Sequence, residues 1–239
     1  MNLRMFLSSL TFTLLLSANF VSAQNGTWVT DKRNHTDFKA ISFETAGDVY
    51  IYLSDRFSVE VEGNPATTAK ITTEVSNKTL YIRNKQQYFN WNSKKDPLKI
   101  RIKLPLLEKL DMSGSGDVEV KGLIRNPRLD VNLSGSSDVL IEKIAVRDLQ
   151  LQLSGSGQVQ FGSGNVDSGD LHLSGSGTIM ARNLQITDGR ANLSGSGQIE
   201  IWAKRYLDID LGGSGTVSYR GNPQIAKDVD GSGSVKRIQ

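Results

Sequence analysis

Between residues 113 and 234 the chain repeats one short phrase seven times: a Gly/Ser cluster with an apolar strand on each side. The copies open at Ser113, Ser134, Ser154, Ser174, Ser194, Gly212 and Asp230, at spacings of 21, 20, 20, 20, 18 and 18 residues. No other feature constrains the fold as much. A unit this short cannot bury its own apolar face and must stack on its neighbours. The second position is glycine in every copy: Gly114, Gly135, Gly155, Gly175, Gly195, Gly213 and Gly231. The third is serine in every copy: Ser115, Ser136, Ser156, Ser176, Ser196, Ser214 and Ser232. The fourth is glycine except at Ser137. Two glycines around a serine suit a tight reversal, because glycine enters positive φ without a Cβ clash. These positions read as structural turn residues, their hydroxyls free to bond nearby turn backbone.

The flanks alternate with period two. Before the turn, Leu110, Val131, Leu151, Leu171, Ala191, Ile209 and Lys227 form one column, and Met112, Leu133, Leu153, Leu173, Leu193, Leu211 and Val229 form another. Between them lies a polar column: Asp111, Asn132, Gln152, His172, Asn192, Asp210 and Asp228. After the turn come Val118, Val139, Val159, Ile179, Ile199, Val217 and Val235. Alternation on both sides predicts strand, turn, strand, with one face buried. Agreement down the columns predicts coils stacked in register and paired in parallel. Seven rungs about 4.8 Å apart cover roughly 29 Å of axis, and a 20-residue coil has a perimeter of about 66 Å. The rest of each period, such as residues 121–127, varies more and is expected to form loops on the far side, where repeat proteins often place function. Lys227 and Arg237 put charge at inward positions of the last copy, which discourages another chain from adding to that edge.

The chain has 239 residues and no cysteine, so no disulfide and no N-terminal acylated cysteine is expected. Residues 1–23 read as a signal peptide: Arg4, an apolar run from Met5 to Leu16, and Val21-Ser22-Ala23 before a cleavage point near Gln24. The run is too short for a membrane span, and the mature chain carries no other candidate. Loss of Arg4 takes the net charge from +3 to +2, a balance that gives no support for nucleic-acid binding. The expected location is exported: periplasm, outer surface or secreted. No sortase-type or barrel-forming anchor is read near Gln239.

Residues 24–110 form a second region. Asp37 to Leu53 reads as strand, turn, strand, and Gly47-Asp48-Val49 echoes Gly116-Asp117-Val118 as a degenerate first rung. Residues 57–61 alternate; 71–75 and 79–82 flank a hairpin turn at Ser76-Asn77-Lys78; residues 98–104 alternate up to Pro105. The region is expected to cap the solenoid of residues 111–239 and to form one continuous unit with it.

The ordered set of Phe-Ser-Val-Glu-Val-Glu-Gly (57–63), Thr-Glu-Val to Leu-Tyr-Ile (73–82), Leu-Lys-Ile-Arg-Ile-Lys-Leu-Pro (98–105) and Leu110 to Val118 resembles the auto-transporter adhesin head family, the GIN-domain proteins of bacteria. The resemblance spans about residues 36–238. It implies an all-β fold, a right-handed parallel β-helix of two sheets joined by the Gly-Ser-Gly turns, with an N-terminal β cap. It also implies adhesion, and a homo-oligomer rests on it alone. It carries over no catalytic residue.

No catalytic, cofactor or metal residue is assigned. Calcium β-rolls need an acid in each nine-residue repeat; here the post-turn column carries acids only at Asp117 and Asp138. A polysaccharide lyase or hydrolase needs two placed carboxylates or an acid-bound cation with a base. Asp208, Asp210, Asp228 and Asp230 form no distinctive cluster beyond surface alternation. His35 and His172 lack evident partners, and seven serines without a base are not nucleophiles. Tyr88, Phe89 and Trp91, in a polar stretch between strands, are candidate ligand contacts or rings folded over the open core. The sequence thus points to an exported, non-enzymatic interaction protein, a cell-adhesion or surface-binding module for a surface protein or glycan. The alternatives are a carbohydrate-active enzyme on the same scaffold and a structural envelope protein.

Overall fold

The computed structural model describes residues 28–85 and 98–239. The expected signal peptide (residues 1–23) and Tyr88, Phe89 and Trp91 lie outside these residues. The chain runs β1 (Val29–Arg33), β2 (Ala40–Glu44), β3 (Asp48–Leu53), β4 (Ser58–Gly63), α1 (Pro65–Thr68), β5 (Ile71–Ser76), β6 (Thr79–Asn84), β7 (Leu98–Leu104) and β8 (Lys109–Met112). It continues through β9 (Asp117–Gly135), β10 (Asp138–Gly155), β11 (Gln158–Gly175), β12 (Thr178–Gly195), β13 (Gln198–Gly213), β14 (Thr216–Arg220), β15 (Gln224–Gly231) and β16 (Ser234–Arg237). The result is a β-solenoid of about six turns.

The predicted columns are the observed register. Leu151 stands opposite Leu171, Val139 opposite Val159 and Gly155 opposite Gly175, all in parallel. The inward columns of the first six copies are buried, and the described core is one continuous cluster from Phe38 to Val217. Core columns trade volume between coils. Phe161 is followed one period later by Ala181, and the space beside Gly169 is taken by Ile186, whose Cδ1 lies 3.0 Å from where a Cβ would stand.

The far side differs from expectation. Residues 121–127 and their counterparts are not loops; strand pairing runs round most of the coil, as in Ile124 opposite Ile144 and Val146 opposite Val166. Each coil lies on a neighbour of nearly the same length, so backbone N–H and C=O groups find partners even past the corners. Ladder breaks occur near Glu142 and between Ala181 and Gln185, where the coil bends.

At the repeated turn only one glycine per copy takes positive φ. It is the second position from Gly135 onward, and the fourth, Gly116, in the first copy. Gly175 sits at φ 123°, and an added Cβ would lie 2.5 Å from the Gly155 carbonyl oxygen below. Gly177 has no positive φ, yet its Cβ would also meet the Gly157 oxygen at 2.5 Å. From Gly157 onward the fourth column is therefore glycine for close stacking rather than for backbone freedom. Ser137 departs from it for a reason. In later turns the Gly155 and Gly175 carbonyls accept the Ser176 and Ser196 N–H groups of the coil above. At the first step the Gly114 carbonyl accepts the Ser137 hydroxyl instead, at 3.1 Å, and Ser137 is buried. Among the described residues the Ser137 hydroxyl bonds turn backbone and that of Ser134 bonds the Met112 carbonyl at the strand end just before the turn; the third-position serines, expected to bond the turn, are exposed.

The N-terminal third stacks out of sequence order. β2 pairs in parallel with both β6 and β8, and β3 pairs in parallel with both β7 and β9. Val49 lies opposite Val118, so the echo between these segments is a true rung. β6 and β7 form the next rung outward. Beyond them β5 pairs antiparallel with β6, β4 pairs antiparallel with β7, and β1 pairs antiparallel with β4. The β5–β6 hairpin turns at Asn77 and Lys78, both at positive φ (49° and 61°), which matches the twist of two-residue hairpins. Asn64 opens α1 by accepting the Thr67 N–H at 2.8 Å, with Pro65 at the first helical position.

At the other end, β15 and β16 form the last rung. Lys227, Val229 and Arg237 are exposed there, although their columns are buried in earlier coils. No described helix is long and apolar enough to cross a membrane.

Candidate functional site: a polar groove along the axis

The polar column read from the sequence becomes a continuous line. Ser42 lies opposite Asp111, and the line continues through Asn132, Gln152, His172 and Asn192 to Asp210. Each of these side chains projects outward between two buried inward columns, so the sheet itself positions them one rung apart. Two residues later, Ser134, Ser154, Ser174 and Ser194 form a parallel line of hydroxyls just before the turn.

Two shallow concavities lie on these lines. One, of about 550 Å³, runs from Gln152 to Asp210; the other, of about 260 Å³, runs from Ser42 to Gln152. They share Gln152 and Ser154 and form one groove across seven rungs. Six rung steps give it a length of about 29 Å. Its floor includes the edges of Leu133, Leu153 and Leu173, and its described lining contains no Lys or Arg.

The groove's polar groups partly satisfy one another. Asn132 donates from Nδ2 to Asp111 Oδ1 at 2.7 Å. Asn192 Nδ2 lies 3.1 Å from His172 Nδ1. His172 Nε2 lies 2.9 Å from Asp170 Oδ1 but off the hydrogen-bond line, so that buried oxygen keeps no hydrogen-bond donor among the described residues. Gln152, at the centre, makes no side-chain hydrogen bond among the described residues. At the N-terminal end Ser42 donates to Glu44 Oε1 at 3.0 Å, and Arg83 donates to Glu44 Oε2 at 3.0 Å. The bond from Arg83 holds the Glu44 carboxyl below its ordinary range, against a smaller opposing effect of burial.

The other predicted residues fall elsewhere. Asp117 and Asp138 are stacked neighbours after the turn, with Asp48 close by. Burial, then the charges of Asp48 and Asp138, push the Asp117 carboxyl up. Among the described residues no group of three or more His or acidic side chains is placed to hold a metal ion. His35 bonds Thr73 at 2.8 Å, far along the fold from His172. Exposed rings absent from the sequence reading do occur: Trp28, beneath Lys99, and Tyr206; Trp202 is half-buried, with the Arg220 guanidinium 4.5 Å from its ring. The groove's concavity was also missed. Its polar column was visible as a spacing, but a column does not reveal that it lies in a hollow.

No protein of curated function matches the chain. Several solved structures do. A "putative adhesin" from Bacteroides fragilis is 28% identical, with a TM-score of 0.84, over 89% of this chain and 97% of that one. A "putative lipid binding protein" from Parabacteroides distasonis is 25% identical, with a TM-score of 0.69, over 90% and 98%. A "putative adhesin" from Parabacteroides merdae is 18% identical, with a TM-score of 0.68, and supports the fold alone. The family model described as "Putative auto-transporter adhesin, head GIN domain" matches residues 37–223. The chain therefore belongs to the GIN-domain family of auto-transporter adhesin heads.

Proposed function

We propose that the chain is an exported, non-enzymatic surface-binding module of the adhesin kind. Family membership supports adhesion in general. The observation that carries the reading is the groove: one outward column of hydrogen-bonding side chains, continuous over seven rungs and set on a rigid ladder. A rigid scaffold presenting preset groups binds without the cost of ordering a loop. In this reading residues 24–110 close the N-terminal end of the array, residues 1–23 are removed on export, and the partner is a surface glycan or protein rather than nucleic acid.

The test couples adhesion to turnover. Beads coated with the chain from Gln24 onward are washed over immobilised glycans and surface proteins, and the same protein is incubated with acidic polysaccharides. Specific retention on one class without product release is the expected result. Release of unsaturated sugars would replace this reading with the lyase alternative; no retention on any surface would leave the structural envelope role.

A further inference from the structure

We infer that the groove holds one extended strand of an uncharged glycan, laid along the solenoid axis at about one sugar per rung. This rests on the surface-binding reading and gives its site a ligand class.

Spacing is the first reason. The column recurs about every 4.8 Å, whereas an extended peptide advances only ~3.3 Å per residue and falls out of step with it. An extended, linear polysaccharide advances by close to one rung per sugar. Chemistry is the second. Amide and hydroxyl groups both donate and accept, which suits sugar hydroxyls, whose own pattern mixes the two roles. Charge is the third. The described lining holds no Lys or Arg to attract a polyanion; Glu44 and Asp111 are paired with Arg83 and Lys109, and Asp210 has no ion-pair partner among the described residues.

Unmet hydrogen bonding is the fourth reason. The neighbours of Gln152 bond in pairs, Asp111 with Asn132 and His172 with Asn192, and leave the central amide without a partner. Among the described residues no aromatic ring lines the central groove, so each sugar there contributes little and affinity accumulates along the strand.

The experiment is calorimetric titration of the chain from Gln24 onward with linear cello-, xylo-, manno- and N-acetylated chito-oligosaccharides of two to seven sugars. In at least one series, affinity should rise about tenfold or more from two to six sugars, as repeated weak contacts add. Gln152→Ala and His172→Ala should each weaken the hexamer by roughly 2–10-fold, the range for one hydrogen bond. Gln160→Ala, on the face after the turn, should leave it unchanged. All three residues point outward, and unchanged thermal melting verifies folding. Silence from every series, affinity independent of length, indifference to the two groove variants, or tighter binding of a polyuronate or an extended peptide would each overturn the inference. Bead retention that survives the Gln152→Ala/His172→Ala double variant would overturn the groove while leaving adhesion standing. Wild-type protein that is not retained would overturn adhesion itself.

Discussion

The coils from Asp117 to Gly213 and the strands from Val29 to Met112 share one core but are assembled by opposite rules. In the coils, the neighbour in space is the neighbour in sequence, about 20 residues on. In the N-terminal third, Ala40 lies between Thr79 on one side and Lys109 on the other, and the outermost strands run antiparallel. The first arrangement lets each position be set once and repeated. The second requires bespoke contacts, such as the Arg101–Glu62 ion pair across β7 and β4, or Asn126 reaching Leu107. Stability in the coils should therefore rest on the columns, and at the junction on individual polar groups.

The sharpest way to break the contrast lies in the turn. Gly177→Ala forces a Cβ against the Gly157 oxygen on a stack that cannot move one rung alone. A loss of about 3 kcal/mol or more, from overpacking against backbone, is expected in urea unfolding. Gly212→Ser supplies the control, because nothing lies within 4 Å of its added Cβ and the five copies before it carry serine there; its midpoint should hardly move.

A smaller effect is expected at the junction. Asn126 occupies an inward column filled by Val146 and Val166 in the next coils, and its Nδ2 donates to the Leu107 carbonyl at 3.1 Å and to the Arg128 carbonyl. Asn126→Val copies the later coils, yet it strips both carbonyls and should cost about 1–3 kcal/mol. A neutral or stabilising result in thermal melting would mean that the junction obeys the same column rule as the array.

The smallest effect sharpens the comparison inside the turns themselves. Ser137→Gly restores the majority residue of its column but removes the bond to the Gly114 carbonyl. Unfolding should show a loss of about 1 kcal/mol, the net worth of one hydrogen bond. A gain in stability would show that Ser137 is tolerated rather than used.

These same residues mark where sequence reading succeeds. Leu151 and Leu171, or Gly155 and Gly175, announce their contact because equal environments recur at equal spacing. Gly47 to Val49 was readable as a rung because it reuses the turn's wording. The antiparallel pairing of Val59 with Ile102 was not readable, since alternation says that a strand exists and not which strand it meets. The far-side strands were missed because corners break the two-residue alternation while the ladder to the next coil persists. The four-residue helix left a local signal in Asn64-Pro65, too short to register as helical periodicity. Of the groove, the line from Asp111 to Asp210 was legible and its depth was not. Depth depends on how the strand before the turn meets the turn, a property of the folded edge.

The exact match of each turn to the next, Ser154-Gly155 on Ser174-Gly175, also makes the coil a cassette. Excising residues 158–177 would join Gly157 to Thr178, which already shares the column of Gln158, and every ladder above would close on the coil below. Unequal recombination between repeats could thus shorten or lengthen the molecule one rung at a time without inventing a new junction. The protein is built as a ruler whose length is a copy number.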